Sequence, residues 1–280
     1  MRMFLFLRLS QEKKSKIVPI LKKSKLAQSY VVYCKQDMMK FNSNMQKAFV
    51  LLISFLFSLI SVLPAIAEPR DIFFGGMIWG VRQTAGPVDP GPNIFSNLQD
   101  QVWVDEQGAV HLTVQKRGTL WTASEIMAKK DTGYGTYRFT VSSSLADLDP
   151  SIVFGFFTWD KAPESFNREI DIEISRWGTP DGLDGWFTVQ PYDKAGNQHS
   201  FYLPNAQSYT FELRWALGEV QFELVTEKKN EEWTYREPGV PAPGRARLRI
   251  NLWLFRGKAP AQDWKHYKVV IRDFSFLPLL

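Results

Sequence analysis

Cysteine is almost missing from this sequence: the 280-residue chain has one, Cys34. Residues 68–280 have none, which excludes disulfides and thiolate zinc sites from that stretch. Also missing there are a sustained helical stripe, a G-x-S-x-G or Rossmann glycine pattern, and any ligand spacing among His111, His199 and His266. Serine-hydrolase, zinc and nucleotide chemistry therefore have no support, and the three histidines read as surface or loop residues. A basic excess is absent too, once the chain is divided. The whole sequence holds 34 Lys and Arg against 29 acids, but residues 1–67 take eleven of those bases and only Glu12 and Asp37. That leaves 23 bases and 27 acids in residues 68–280, a net charge of −4. The argument for nucleic-acid binding goes with the basic segment.

That segment has the marks of export. A short basic start at Met45, Gln46 and Lys47 leads into the apolar run "AFVLLISFLFSLISVLPAIA", which closes on Ala65-Ile66-Ala67. This is the pattern of a secretory signal peptide over residues 45–67, cut after Ala67, and it predicts a secreted or periplasmic protein without membrane contact after cleavage. The same run approaches the ~20 residues that span a bilayer, so an uncleaved anchor is the competing reading. Export signals begin at the start codon, so Met45 is the expected initiator and residues 1–44 an upstream extension that does not fold.

The 213 residues from Glu68 to Leu280 suffice for one domain and contain all ten tryptophans. Their dominant period is two. "VHLTVQ" sets Val110, Leu112 and Val114 on one side, "YRFTVS" does so with Tyr137, Phe139 and Val141, and "YTFELRW" with Tyr209, Phe211, Leu213 and Trp215. Further runs cover residues 151–159, 169–174, 186–190, 220–225, 248–255 and 266–276, separated by turn-rich pieces such as "GTPDGLDG" and "EPGVPAPG". The pattern predicts an all-β fold, an antiparallel β-sandwich. The proline-stiffened loop 84–93 is either a site wall or a surface crossing.

One run breaks the rules of the others. "EIDIE" puts Glu169, Asp171 and Glu173 on one face of a strand and Ile170 and Ile172 on the other. Acids are poor strand formers, and like charges side by side repel. A solvated outer face fits badly, because the other strands turn mixed Thr, Lys and Arg outward. A metal site fits badly as well, since carboxylates along one straight strand are too spread to enclose an ion unaided. Catalysis fits: two carboxyls flanking a sugar bond serve as proton donor and nucleophile, and crowding keeps a proton available near neutral pH. Four strand residues separate Cα atoms by about 13 Å, so the glutamates must lean together over Asp171 to reach the roughly 5–5.5 Å of a retaining pair.

"EIDIE" resembles the signature of glycoside hydrolase family 16, which includes lichenases, laminarinases and xyloglucan transglycosylases. "SEIMAKKDTGYGTYRFTV", "IVFGFFTWD", "WFTVQ", "YTFELRW", "INLWL" and "HYKVVIRDFSF" resemble that family's other strands, so the likeness covers most of residues 73–276. It implies a jelly roll of the concanavalin A-like lectin and glucanase type, with a sugar cleft and retention through a covalent glycosyl-enzyme. It casts Glu169 as nucleophile, Glu173 as acid/base and Asp171 as helper, and makes Glu125 and Gln190 polar substrate contacts. The compact spacing is similar to the lichenase and xyloglucan branch. Three departures stand out: Met127 where an arginine is common, Arg168 where an acid is common, and Ser208 where a histidine is common.

Asn251 and Trp253 alternate against Leu252 and Leu254, which turns them from the core; with Trp159 they are candidates to meet pyranose faces. Trp177 is placed at one end of the cleft, while Trp103, Trp215 and Trp264 are left to packing. The expected activity is endo-acting, retaining hydrolysis of a β-linked polysaccharide, a β-glucan by resemblance, by a monomer. A lectin-like module and a transglycosylase are the alternatives. No cofactor is required, and a structural calcium is left open.

Overall fold

The computed structural model describes residues 68–262 and 266–279, all within the unit Ala67–Leu280. The expected leader and Trp264 lie outside the described residues. Sixteen strands follow in chain order: β1 (Arg70–Phe74), β2 (Met77–Val81), β3 (Ile94–Phe95), β4 (Val102–Val104), β5 (Val110–Arg117), β6 (Leu120–Ala128), β7 (Gly135–Val141) and β8 (Ile152–Trp159). Then come β9 (Ile170–Ile174), β10 (Gly185–Val189), β11 (Gln198–Phe201), β12 (Tyr209–Ala216), β13 (Glu219–Val225), β14 (Asn230–Tyr235), β15 (Arg247–Leu254) and β16 (His266–Pro278). The helical pieces among the described residues are short 3-10 segments, and no helix there is long and apolar enough to cross a membrane.

Hydrogen bonding runs in the order β11-β10-β9-β8-β15-β6-β5-β16-β7-β12-β13-β14. The path makes two layers because β6 serves both. Its residues Leu120–Thr122 pair with β5, whereas Ser124–Met127 pair with β15. All these neighbours are antiparallel, the architecture of a jelly-roll sandwich. Phe139 of β7 stacks on Phe156 of β8 across the layers with centroids 4.1 Å apart, and Phe139 also meets Phe211 of β12 at 5.0 Å. The alternating residues Val110, Leu112, Val114, Tyr209, Leu213 and Trp215 fill the same core.

The expected strands are present, and several more appear that period two does not reveal. Strand β6 is buried from Thr122 to Ile126 on both faces, so its sequence loses the alternation that marks a half-exposed strand. Strands β11 and β14 are short edge strands with polar residues, and His199 of β11 contacts Glu231 of β14 at 2.9 Å across the gap between the sheet ends. His111 and His199 thus lie within strands, not loops; His111 stacks on Trp103 at 4.5 Å and bonds Asp105.

Candidate active site

Strand β9 delivers the acids by simple alternation. Ile170, Ile172 and Ile174 enter the core, where each contributes roughly 1.5–3 kcal/mol. The opposite face must then carry Asp171 and Glu173. Residues opposite each other on paired strands share a face, so the register lays out the floor in rows. Glu173 lies across from Gly155 of β8, Gly155 from Asn251 of β15, and Asn251 from Glu125 of β6. In the next row Asp171 meets Phe157, which meets Arg249, which meets Met127. A cleft of about 510 Å³ opens over these rows.

Glu169 stands just before the strand, not on it as expected. The 3-10 segment Pro163–Arg168 ends on it, and three successive residues there, Phe166, Asn167 and Arg168, hold φ of +48°, +56° and +54°. Left-handed geometry costs about 1–2 kcal/mol for each side-chain-bearing residue, so the turn needs outside support. Asp160 provides much of it. Its N–H donates to Asn167 O at 2.7 Å, and its carboxylate accepts from Arg168 Nε at 2.7 Å. Thr158 Oγ1 donates to Arg168 O and accepts from Ile170 N, tying both sides of Glu169 to β8. Gly244, at φ +50°, leaves room for the Arg168 guanidinium that a side chain would overlap.

Seven of the nine residues singled out from the sequence line the cleft: Glu169, Asp171, Glu173, Glu125, Trp159, Asn251 and Trp253. The other two lie behind this lining. Gln190 Nε2 donates to Asp171 Oδ2 at 3.0 Å, which orients the carboxylate. Trp177 packs against Trp253 and Trp186, each at 6.3 Å, and Phe255 at 5.4 Å, so it buttresses the aromatic wall. Glu125 is fully buried, with one oxygen 2.6 Å from Arg82 Nη1 and the other 3.1 Å from Arg249 Nη1. Both its oxygens are turned to the arginines. Trp215 is core, hydrogen-bonded through Nε1 to Pro241 O.

Sequence reasoning passed over Arg82 and Arg249, both of which line the cleft. The alternation that exposes Asn251 and Trp253 applies equally to Arg249. Arg82 follows β2 and carries no periodic signal. Arg249 sits directly opposite Met127, so the cation expected at 127 stands one strand over.

The trio is electrostatically strained. Burial is the largest cause raising each of the three carboxyl pKa values. The neighbouring charges of Asp171 and Glu173 push Glu169 up further, and Asp171 does the same to Glu173. Arg249 draws Glu169 back down. Glu169 and Asp171 also share a hydrogen bond, so they titrate as a pair around a common proton. Among the described residues no group of three or more His, Cys, Asp and Glu is arranged to hold a metal ion.

Solved structures share this architecture at low sequence identity. A β-glucanase of Bacillus licheniformis superposes with a TM-score of 0.56 at 14% identity, covering 75% of this chain and 98% of its own. A β-1,3-1,4-glucanase (lichenase) from a mouse hindgut metagenome gives 0.55 at 15%, covering 76% and 98%. A pseudo β-1,3-glucanase and immunostimulatory antigen of Mycobacterium tuberculosis gives 0.53 at 15%, covering 72% and 91%. The chain has the glucanase jelly-roll fold. No family model and no curated protein sequence matches it.

Proposed function

We propose that this chain is an exported, endo-acting, retaining glycoside hydrolase that cuts a β-linked polysaccharide, a β-glucan in the first instance. The observation that carries the reading is the meeting of Glu169, Asp171 and Glu173 on one open cleft floor, desolvated and coupled, beside aromatic walls. The names of fold neighbours, a β-glucanase and a lichenase among them, support the substrate class.

In the reactive form the proton shared by Glu169 and Asp171 rests on Asp171, which donates it as a hydrogen bond and leaves Glu169 a carboxylate. Glu169 attacks the anomeric carbon while the glycosidic C–O bond breaks and Glu173 gives its proton to the departing oxygen. Glu173, now a carboxylate, takes a proton from water. The resulting hydroxide adds to the anomeric carbon and frees Glu169, so configuration is retained overall. Burial, the largest cause raising its pKa, holds Glu173 protonated for the first step.

A binding module is the second reading, favoured by the fold neighbour described as a pseudo β-1,3-glucanase. Wild type and Glu169→Gln should be compared on lichenan, laminarin and xyloglucan, with products followed by anomeric proton NMR. Turnover by wild type with initial release of the β-anomer, lost in Glu169→Gln while oligosaccharide binding persists, is the expected result. Binding without turnover in both proteins would establish the lectin-like alternative. High acceptor concentrations would expose transglycosylation.

A further inference from the structure

The cleft lies to one side of the acids. Its lining comes from β9 with Glu169, from β8, β15 and β6, and from the chain after β2, while β10 and β11 contribute nothing to it. A polysaccharide cut internally must also lie on the other side of β9. There the register sets Trp186 of β10 directly across from Glu173, and Ser200 of β11 across from Trp186. Thr188 lies across from Asp171, and Gln198 across from Thr188. These positions share the face of the acids, because Phe187, between Trp186 and Thr188, enters the core. Gln198 Nε2 donates to Thr188 Oγ1 at 3.1 Å, and none of the four side chains carries a charge.

The indole of Trp186 is a fixed, half-buried surface. Its Nε1 donates to Ser175 O at 2.8 Å, which draws the ring past Glu173. Core filling does not explain it, since Trp186 belongs to neither buried hydrophobic cluster. Trp177 packs against it at 63° and also reaches Trp253 of the cleft lining, so tryptophans run without a break from the cleft to β10. Trp177 itself sits in the left-handed region at φ +52°, where its N–H donates to Ser175 Oγ at 3.0 Å. Bulky side chains rarely adopt that conformation, and such strain collects at ligand sites.

We infer that Trp186, backed by Trp177, is the platform for the sugar that departs when the chain is cut, and that this site takes an uncharged pyranose. This rests on the hydrolase reading above and supplies the half of the substrate that the cleft does not hold. Glu173 gives its proton to the departing oxygen, so the departing sugar lies beside Glu173, and the residue beside Glu173 on β10 is Trp186. Glu169 is flanked on that side by Gln190, whose side chain is turned to Asp171 and offers no plate. The indole face meets the C–H face of a pyranose, while Ser200 and Gln198 offer neutral hydrogen-bonding groups to its hydroxyls.

The test uses the full chain, whichever of lichenan, laminarin and xyloglucan it cleaves fastest, and the β-fluoride of an oligosaccharide from that same glucan. Fluoride is too small to reach the Trp186 platform, so the fluoride substrate leaves the departing-sugar site empty. kcat/KM is measured on both for wild type, Trp186→Ala and Trp186→Phe. The expected result for Trp186→Ala is a loss of about tenfold or more on the polysaccharide, with the fluoride used within about twofold of wild type. Trp186→Phe, which keeps a ring but loses the bond to Ser175 O, should fall between the two. A merely structural role would lower both substrates alike. Raising salt should leave the wild-type KM on the polysaccharide unchanged, as an uncharged ligand requires; a marked change would overturn the uncharged class. If Trp186→Ala does not fold, Trp186→Phe decides by the same comparison. Equal losses on both substrates, or none on the polysaccharide, overturn the inference and leave the hydrolase reading standing. No cleavage of any glucan or fluoride by wild type overturns both.

Discussion

Gly155 and Asn251 face each other across the paired strands β8 and β15, so closely that a Cβ on Gly155 would lie 2.5 Å from Asn251 Oδ1. That oxygen is buried with no hydrogen-bond partner among the described residues, in the same row as Glu173 with only Gly155 between them. An unpaired buried acceptor costs about 1–3 kcal/mol, and a cleft floor is where a sugar hydroxyl would satisfy it. Gly155→Ala should therefore swing the Asn251 amide aside. Turnover is expected to fall about tenfold or more, with the thermal midpoint lowered by only a few degrees. Steady-state kinetics and a melting curve check it; unchanged kinetics would mean that the amide has no part in binding.

The fold was legible because most strands have one face in the core and one outside, which writes period two into residues such as Tyr209, Phe211 and Leu213. It failed on β6, where Ala123, Ser124 and Glu125 are all buried and no alternation survives. The acids were legible for the opposite reason: Glu169, Asp171 and Glu173 violate strand preferences without local compensation. Arg82 was not, because its meaning lies in Glu125, 43 positions away. The left-handed turn before Glu169 was hidden as well, since no glycine announces positive φ at Phe166, Asn167 or Arg168.

Neutralising Glu169 should stabilise the fold. Unfolded, its carboxyl ionises near about 4.3; folded, burial and the neighbouring acids hold the proton to much higher pH. Between those two values the folded chain binds more protons than the unfolded one, so stability falls as pH rises. Glu169→Gln removes that loss. Its melting midpoint should match wild type near pH 4 and exceed it by a few degrees, on the order of one kcal/mol, near pH 8. A variant less stable than wild type at pH 8 would contradict the strained trio.

Glu125→Gln should act in the other direction. The carboxylate is fully buried and holds two arginines, so its loss breaks both ion pairs and leaves the two guanidiniums repelling each other. Breaking a buried ion pair from one side costs about 3–5 kcal/mol, here at the low end because both arginines keep some solvent. A fall in the midpoint on the order of 10 °C is expected. The double variant Glu125→Gln/Arg249→Met should recover part of it, a coupling readable in a double-mutant cycle.

The proton on Glu173 should show in the alkaline limb of the activity profile. Burial and Asp171 raise this carboxyl well above its ordinary range, so turnover should persist past neutral pH and decline only as Glu173 ionises. Glu173→Ala is expected to lose about 10²–10⁴ in turnover on polysaccharide. An aryl glycoside whose leaving group needs no proton should react with this variant at a rate independent of alkaline pH. If the variant kept the wild-type alkaline limb, the proton donor would be another group.

Arg168 should matter to turnover without touching the substrate. It does not line the cleft, yet it closes the left-handed turn by bonding Asp160 Oδ2 through Nε and Ala242 O through Nη1. Asp160 is buried, so its carboxylate cannot simply turn to water. Arg168→Met would leave that charge unpaired and free the turn to relax toward ordinary φ, displacing the Glu169 carboxyl from its place beside Asp171. Displacements near 1 Å at a reacting group cost on the order of 10²-fold. The loss should fall on kcat, with KM near wild type, because Trp253, Asn251 and the arginines stay where they are. Arg168→Lys preserves the bond to Asp160 but not the reach to Ala242, so it should restore part of kcat. A merely destabilised protein would lose active fraction instead, and active-site titration would reveal that as a lower enzyme concentration with unchanged turnover per site.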